Sequence, residues 1–278
     1  MVVFPNAKLN LGLFVTEKRT DGFHNLESLF VPIPLADILE ILPADAFQLT
    51  VTGLSFSGDF TDNIVYKAWK LLSEKHNCPP VQVFLRKIIP NGAGMGGGSS
   101  NGAFMLQALN DLFQLNIDSD DLLEYAAELG SDCPFFLYNR PMLVTGRGEV
   151  LTEINIELES CWLVLVKPSV SISTKEAFSG ISPKASTMDW NAFNANPESN
   201  WNRLRNDFEN SVFPNHHELP KIKKTLLEFD PFFCSMTGTG STLFALYKKE
   251  PHMSEALFES CFFWKGEYNF THQLLPLS

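Results

Sequence analysis

The spacing of hydrophobic positions changes several times along the chain, and each change marks an element. "FQLTVTG" (47–53) alternates apolar and polar residues, the period of a half-buried strand. "LNLGLFV" (9–15) and "VQVFLRKI" (81–88) predict two more strands, with a loop around Asp21-Gly22 and Pro90 closing the second. Residues 62–76 place Ile64, Val65, Ala68, Leu71 and Leu72 on one helical face, with Asp62 as the expected N-cap. A stripe of Ala103, Leu106, Leu109, Leu112 and Phe113 predicts a second helix, and 119–130 a third, closed by Gly130. "CWLVLVK" (161–167) predicts a buried strand that opens a second half. A polar stretch at 182–203, rich in Asn, Ser and Pro, predicts a loop. A helix at 218–229, two strands about a Gly/Ser turn at 233–247 and a short helix at 253–261 complete the pattern. Strands and helices intermix throughout, which means α/β or α+β.

Between the predicted strand at 81–88 and the helix after it lies "GAGMGGGSSNGAF" (92–104), with six glycines in eleven positions. A glycine inside a regular element costs about 0.5–1 kcal/mol relative to alanine, so this density needs a function to offset it. A strand, a glycine loop and a helix N-terminus together suit phosphate: backbone amides converge on its oxygens and the helix adds partial positive charge. A side chain at Gly96 or Gly97 is therefore expected to intrude where phosphate lies. The Walker A pattern fails, because no lysine precedes Ser99 or Ser100. GxGxxG does match at Gly92, Gly94 and Gly97, but the next predicted element is another helix, where a dinucleotide fold needs a strand ending in an acid. Asp111, inside the helical pattern, makes a poor substitute.

The loop itself has no charged side chain, so phosphoryl transfer needs cations and a base from elsewhere. Lys8, flanked by Ala7 and Leu9, reads either as a snorkelling surface lysine or as a functional cation. Asp132 in "GSDCPFF" reads either as an N-cap or as a functional carboxylate.

With 278 residues the chain is long enough for two domains, and its 45% hydrophobic and 19% charged residues are those of an ordinary globular protein. The formal charge of -11 argues against binding nucleic acid or an anionic membrane, while leaving room for a small anion held by backbone amides. Five widely spaced cysteines without a CxxC predict free thiols in a reducing compartment. "MVVFPNAKLNLGLFV" is not expected to act as a signal peptide, because Asn10 interrupts its apolar stretch and no A-x-A-like site follows. Residues 88–110 carry no charge but are too polar to span a bilayer. These readings predict a cytoplasmic protein, with no obligate protein partner indicated.

"PNGAGMGGGSSNGA" resembles the phosphate loop of the GHMP kinases (galactokinase, homoserine kinase, mevalonate kinase and phosphomevalonate kinase). "NAKLNL" is similar to that family's first motif and "SMTGTGSTLF" (235–244) to its third, and the three occur in order. "AKLNLGLFVTEKRTDGFHNLESLF", "LGSDCPFFL", "GRGEVL" and "PSVSISTKEAF" narrow the resemblance to members whose acceptor is a sugar alcohol linked to cytidine diphosphate. Mevalonate or homoserine is the alternative acceptor; "DGFH" (21–24) speaks against both, since neither has a base to stack. The match is dense to about residue 178 and thins in 180–232 and after 250.

The resemblance implies an α+β fold in two domains. A ribosomal-S5-like, ATP-binding one would span 1–155, and a ferredoxin-like one 156–278, with the site in the cleft between them. It implies ATP with Mg2+, without identifying metal ligands. Pro90, Gly92, Gly94, Gly96, Gly97, Gly98, Ser99 and Ser100 would bind the nucleotide. Lys8 and Asp132 match the catalytic pair: Asp132 would accept the proton of the acceptor's 2-hydroxyl, and Lys8 would orient that hydroxyl and stabilise charge. Asn10, Phe23, His24 and Phe178 would bind the acceptor, Phe23 and His24 standing where relatives have a Tyr-His pair that grips cytosine, and Phe178 stacking on the other face. Asn6 replaces a residue near which the family motif has proline, Phe23 replaces tyrosine, and "NFTHQLLPLS" (269–278) does not resemble the family's C-terminus. His216-His217 is no metal site by this reading, because chain neighbours do not converge on one ion; a surface loop is expected there.

Overall fold

The computed structural model describes residues 1–54, 58–154, 156 and 159–269. Residues 270–278 of the atypical tail lie outside the described residues. The first part of the chain runs β1 (Val2–Val3), β2 (Asn6–Lys18), β3 (His24–Ala36), β4 (Ile38–Pro43), β5 (Gln48–Gly53) and α1 (Ile64–His76). It continues through β6 (Val81–Lys87), α2 (Gly97–Phe113), α3 (Ser119–Leu129), α4 (Cys133–Tyr138), β7 (Met142–Gly146) and β8 (Val150–Glu153). The second part contains β9 (Cys161–Lys167), α5 (Thr174–Ser179), α6 (Trp190–Ala195) and α7 (Phe208–Val212). It closes with α8 (Glu218–Leu227), β10 (Phe233–Met236), β11 (Leu243–Tyr247) and β12 (Phe262–Tyr268).

Among the described residues these strands form sheets of order β1-β4-β6-β5, β2-β3-β7-β8 and β10-β11-β9-β12. The first two draw their strands from the first part of the chain and the third from the second part, an α+β arrangement. β5 and β6 pair in parallel, and the other ladders are antiparallel. Apolar residues of β2 and β3 (Leu9, Leu11, Val31) share a buried core with Leu163, Leu165 and Phe244 of the third sheet. A second core lies where α1, α2 and α4 cover the first sheet, and a third where α7 and α8 cover the outer face of the last.

Several elements differ from the sequence expectation. The strand at 9–15 extends to thirteen residues, and β3, pairing with it, has no counterpart in the prediction. Pro32 and Pro34 obscure β3, since proline argues against a central strand. The ladder with β7 covers only Leu26 to Phe30, so Pro32 faces β2 alone and Pro34 falls in the irregularity between Ile33 and Ala36. Asn63 caps α1, its Oδ1 accepting the Val65 N–H at 3.0 Å; Asp62 belongs to the short turn before it. Within the expected loop at 182–203, α6 buries Trp190 and Phe193. The short helix expected at 253–261 is one tight turn at 255–258, followed by β12 along the edge of β9. The five cysteines are free, and no described helix is long and apolar enough to cross a membrane.

Candidate active site

Lys8 is the third residue of β2, opposite Pro32 of β3, and its side chain is buried. Its Nζ donates to Asn10 Oδ1 at 2.8 Å, lies 3.6 Å from Asp132 Oδ2, and sits 3.9 Å from the centroid of the Phe30 ring. Burial pushes the Lys8 pKa below that of an ordinary lysine, and the charge of Asp132 partly opposes the shift. Asp132 occupies the N-cap position of α4 yet its side chain makes no capping hydrogen bond. Its carboxylate, 30% exposed, faces Lys8. The cap is positional only, and the acid is left to the lysine.

Asn10 stands behind this pair. Its Oδ1 also accepts from Thr237 Oγ1 at 3.1 Å and from the Gly238 N–H at 2.9 Å, while its Nδ2 donates to Ser28 Oγ at 2.9 Å. The Gly/Ser turn after β10 is thereby tied to β2. The same turn meets the glycine loop: a Cβ on Gly94 would stand 2.2 Å from the Thr237 carbonyl oxygen.

Gly92, Gly94 and Gly96 adopt φ of 59°, 72° and 69°, the left-handed region that favours glycine. A Cβ on Gly96 would come within 2.8 Å of the Phe136 ring, and one on Gly97 within 2.7 Å of Ile89. This corrects the expectation for these two positions, because their Cβ directions point into packed protein. Gly98 has nothing within 4 Å and faces open space. Gly96 gives α2 no side-chain cap, so amides of its first turn lack intrahelical partners. Ser100, one turn in, is fully buried with a hydroxyl that has no hydrogen-bond partner among the described residues. An uncapped helix start with an orphaned hydroxyl beside it fits an anion.

Sequence reading missed a charged cluster beneath this loop. Asp37, fully buried between β3 and β4, accepts the Ile88 and Ile89 N–H groups on Oδ1 at 2.6 and 2.9 Å. Its Oδ2 bonds Lys87 Nζ and accepts from Asn101 Nδ2 at 2.8 Å, and Lys87 donates to Asn101 Oδ1 at 3.0 Å. One carboxylate thus holds the strand leading into the loop and the helix leaving it. The only sequence signal was Asn101 directly after the two serines. Burial pushes the thiol of Cys133, next to Asp132, up to about 12.

Phe23, His24, Ser131, Arg147, Lys175 and Phe178 are among the residues lining a cavity of about 730 Å³. The His24 and Phe178 rings stack at 4.8 Å with planes 21° apart, while Phe23 is 56% exposed at the tip of the β2–β3 turn. Ser131 directly precedes Asp132, which sets the cavity beside the Lys8–Asp132 pair. His216, expected in a free surface loop, bonds Glu176 of α5 at 2.6 Å and anchors the helix that carries Phe178; His217 stands at the N-cap of α8. Among the described residues no three His, Cys, Asp or Glu side chains converge as a metal site.

The family model for the GHMP kinase N-terminal domain matches residues 63–140, and that for the C-terminal domain matches 183–265. A Parabacteroides distasonis protein named 4-diphosphocytidyl-2-C-methyl-D-erythritol kinase is 44% identical over 269 residues, covering 96% of this chain and 99% of that one. The chain belongs to the GHMP kinases. A Bacteroides fragilis protein of the same name is 44% identical over 272 residues, with 96% and 99% coverage. The crystal structure of a 4-(cytidine 5'-diphospho)-2C-methyl-D-erythritol kinase superposes with a TM-score of 0.83 at 30% identity, covering 97% of this GHMP kinase and 99% of that chain. The Methanococcus jannaschii mevalonate kinase, at 14% identity and a TM-score of 0.67 over 95% and 97% of the two chains, shares the fold alone. The fold is therefore the two-domain GHMP one, and the chain is an ATP-dependent small-molecule kinase.

Proposed function

We propose that this GHMP kinase transfers the γ-phosphoryl group of ATP to the 2-hydroxyl of 4-diphosphocytidyl-2-C-methyl-D-erythritol, the compound in its relatives' names. The observation that carries the choice of acceptor is the aromatic cavity of Phe23, His24 and Phe178 beside the Lys8–Asp132 pair. Mevalonate and homoserine offer no base for such a wall.

In this reading Asp132, the partly exposed member of the pair, takes the proton of the acceptor hydroxyl. Lys8 holds that hydroxyl in line and balances charge on the group in flight, in a buried setting where a fixed charge acts strongly. Asn10 keeps the Lys8 ammonium in place rather than touching substrate, since its carbonyl oxygen already has three donors. The first-turn amides of α2, Gly98 and the Ser100 hydroxyl hold the phosphates of ATP, with Pro90, Gly92, Gly94, Gly96, Gly97 and Ser99 shaping the loop. Phe23 offers a ring face to the cytosine and His24 its hydrogen-bonding edge, while Phe178, expected to stack on the base, is stacked on the His24 ring and backs it instead. Mg2+ fits this site, where the orphaned Ser100 hydroxyl would be the protein's oxygen donor to it. Bound there it would neutralise phosphate charge. The division into units 1–155 and 156–278 belongs to the same proposal, supported by the separate origin of the strands in each sheet.

An ADP-release assay over the cytidyl compound, mevalonate and homoserine tests the reading. Turnover confined to the cytidyl compound is expected. Faster turnover of either other alcohol overturns the acceptor assignment.

A further inference from the structure

The acceptor cavity holds more than aromatic rings. Its charged lining is Arg147, Lys175 and Glu149, two cations against one anion, in a chain whose formal charge is -11. The cations come from opposite parts of the chain. Arg147 occupies the tip of the β7–β8 hairpin between Gly146 and Gly148, whose φ of 69° and 116° make the sharp turn that projects it. Its guanidinium carbon lies 5.1 Å over the Phe23 ring centroid, and its Nε lies 3.7 Å from Glu149 Oε1. Glu149 is also bound to the turn itself, accepting the Arg147 backbone N–H on Oε2. Asp21, on the neighbouring turn, is engaged by the Phe23 N–H and by Arg19, and its carboxyl is held below the usual range, first by the Phe23 N–H. Lys175 stands in the first turn of α5, three residues before Phe178, and so on the same side of that helix.

We propose that Arg147 and Lys175 form a diphosphate clamp. They would be specificity-determining residues that make this site select a base carrying a diphosphate over the same base without one. A guanidinium offers a planar fork to phosphate oxygens and an ammonium offers a point charge, and the two together suit a diphosphate. Arg147 has a second effect: lying over one face of Phe23, it leaves the other face of that ring for the base. No step of phosphoryl transfer passes through either residue. The inference rests on the acceptor reading given above, and adds which residues recognise the acceptor's diphosphate.

The test is calorimetric titration of the full chain with CDP and with cytidine, in saturating ADP so that the nucleotide site is filled. Wild type should bind CDP at least about tenfold more tightly than cytidine, because charge-assisted bonds to phosphate exceed neutral ones. Arg147→Met and Lys175→Met should each shrink that ratio, and the double variant should bring it close to one. Arg147→Lys should keep most of the ratio while weakening both ligands, since it retains charge and loses the planar contact with Phe23. Both residues are exposed, so melting temperatures should match wild type and confirm that each variant is folded. An unchanged ratio in the double variant, or no preference in wild type, overturns the clamp and leaves the acceptor reading standing. Wild type that binds neither probe overturns that reading and the clamp with it.

Discussion

The phosphate loop and the acceptor cavity serve one reaction but are built in opposite ways. Beneath the loop, Asp37, Lys87, Asn101 and Ser100 are buried, and Gly94, Gly96 and Gly97 admit no side chain. Around the cavity, Phe23 and Arg147 stand on turn tips, and Phe178 and Lys175 on a six-residue helix. A phosphate chain is the same whatever alcohol receives its terminal group, so its cradle is part of the core. The groups that choose the alcohol sit where a substitution disturbs little else.

The sharpest break of this comparison is at the point where the two regions meet. Asp132→Asn should lower kcat by about 10²–10⁴-fold, the usual contribution of a general base, with only a small loss of melting temperature, because the side chain caps no amide and Lys8 keeps Asn10 and the Phe30 ring as partners. A lower melting temperature with unchanged turnover per folded molecule would make Asp132 part of the fold alone.

On the loop side, Asp37→Ala should cost about 3–5 kcal/mol in a denaturant titration, because it leaves the buried Lys87 ammonium unpaired. Adding Lys87→Met should recover part of that loss, and no recovery would mean the pair is not the source. A milder contrast lies among the glycines. Gly96→Val should lower the melting temperature through its clash with Phe136, whereas Gly98→Ala should leave stability alone and raise the KM for ATP. The opposite pattern would move the nucleotide off Gly98.

On the cavity side, Phe23→Ala should raise the acceptor KM roughly tenfold at near-constant ATP KM, as expected for loss of one stacked aromatic. Phe23→Tyr should be almost neutral. Equal loss toward both substrates would mean that Phe23 packs rather than recognises. The smallest effect concerns pH. Burial holds the Lys8 pKa below the ordinary 10.5, so the ammonium is lost, and kcat falls, at a lower pH than for a free lysine. Asp132 raises that pKa, so Asp132→Asn should lower it further, which NMR titration of labelled lysine would read. A Lys8 resonance titrating at or above 10.5 in wild type would contradict this sign.

Much of the loop side was legible from the chain alone. Glycine density, the paired serines and the apolar stripes of α1 to α3 report interactions between near neighbours, and those survive in any tertiary setting. "DGFH" pointed to an acceptor side only through its resemblance to other members of the family. The Lys8–Asp132 contact was different: each residue had two local readings, and only the placement of β2 against the start of α4 brings them to 3.6 Å. Asp37 carried no signal, because its value as an anchor comes from partners 50 to 64 positions away and from the loss of water around them. β3 and β12 were hidden for a related reason, their pairing being set by neighbours that the local pattern does not contain. Periodicity, caps and turns are decided within a few residues, so the sequence by itself determined them here. Burial, and with it the pKa of Lys8 and the direction each glycine faces, depends on what the rest of the chain packs against that point, so only the tertiary structure decided it.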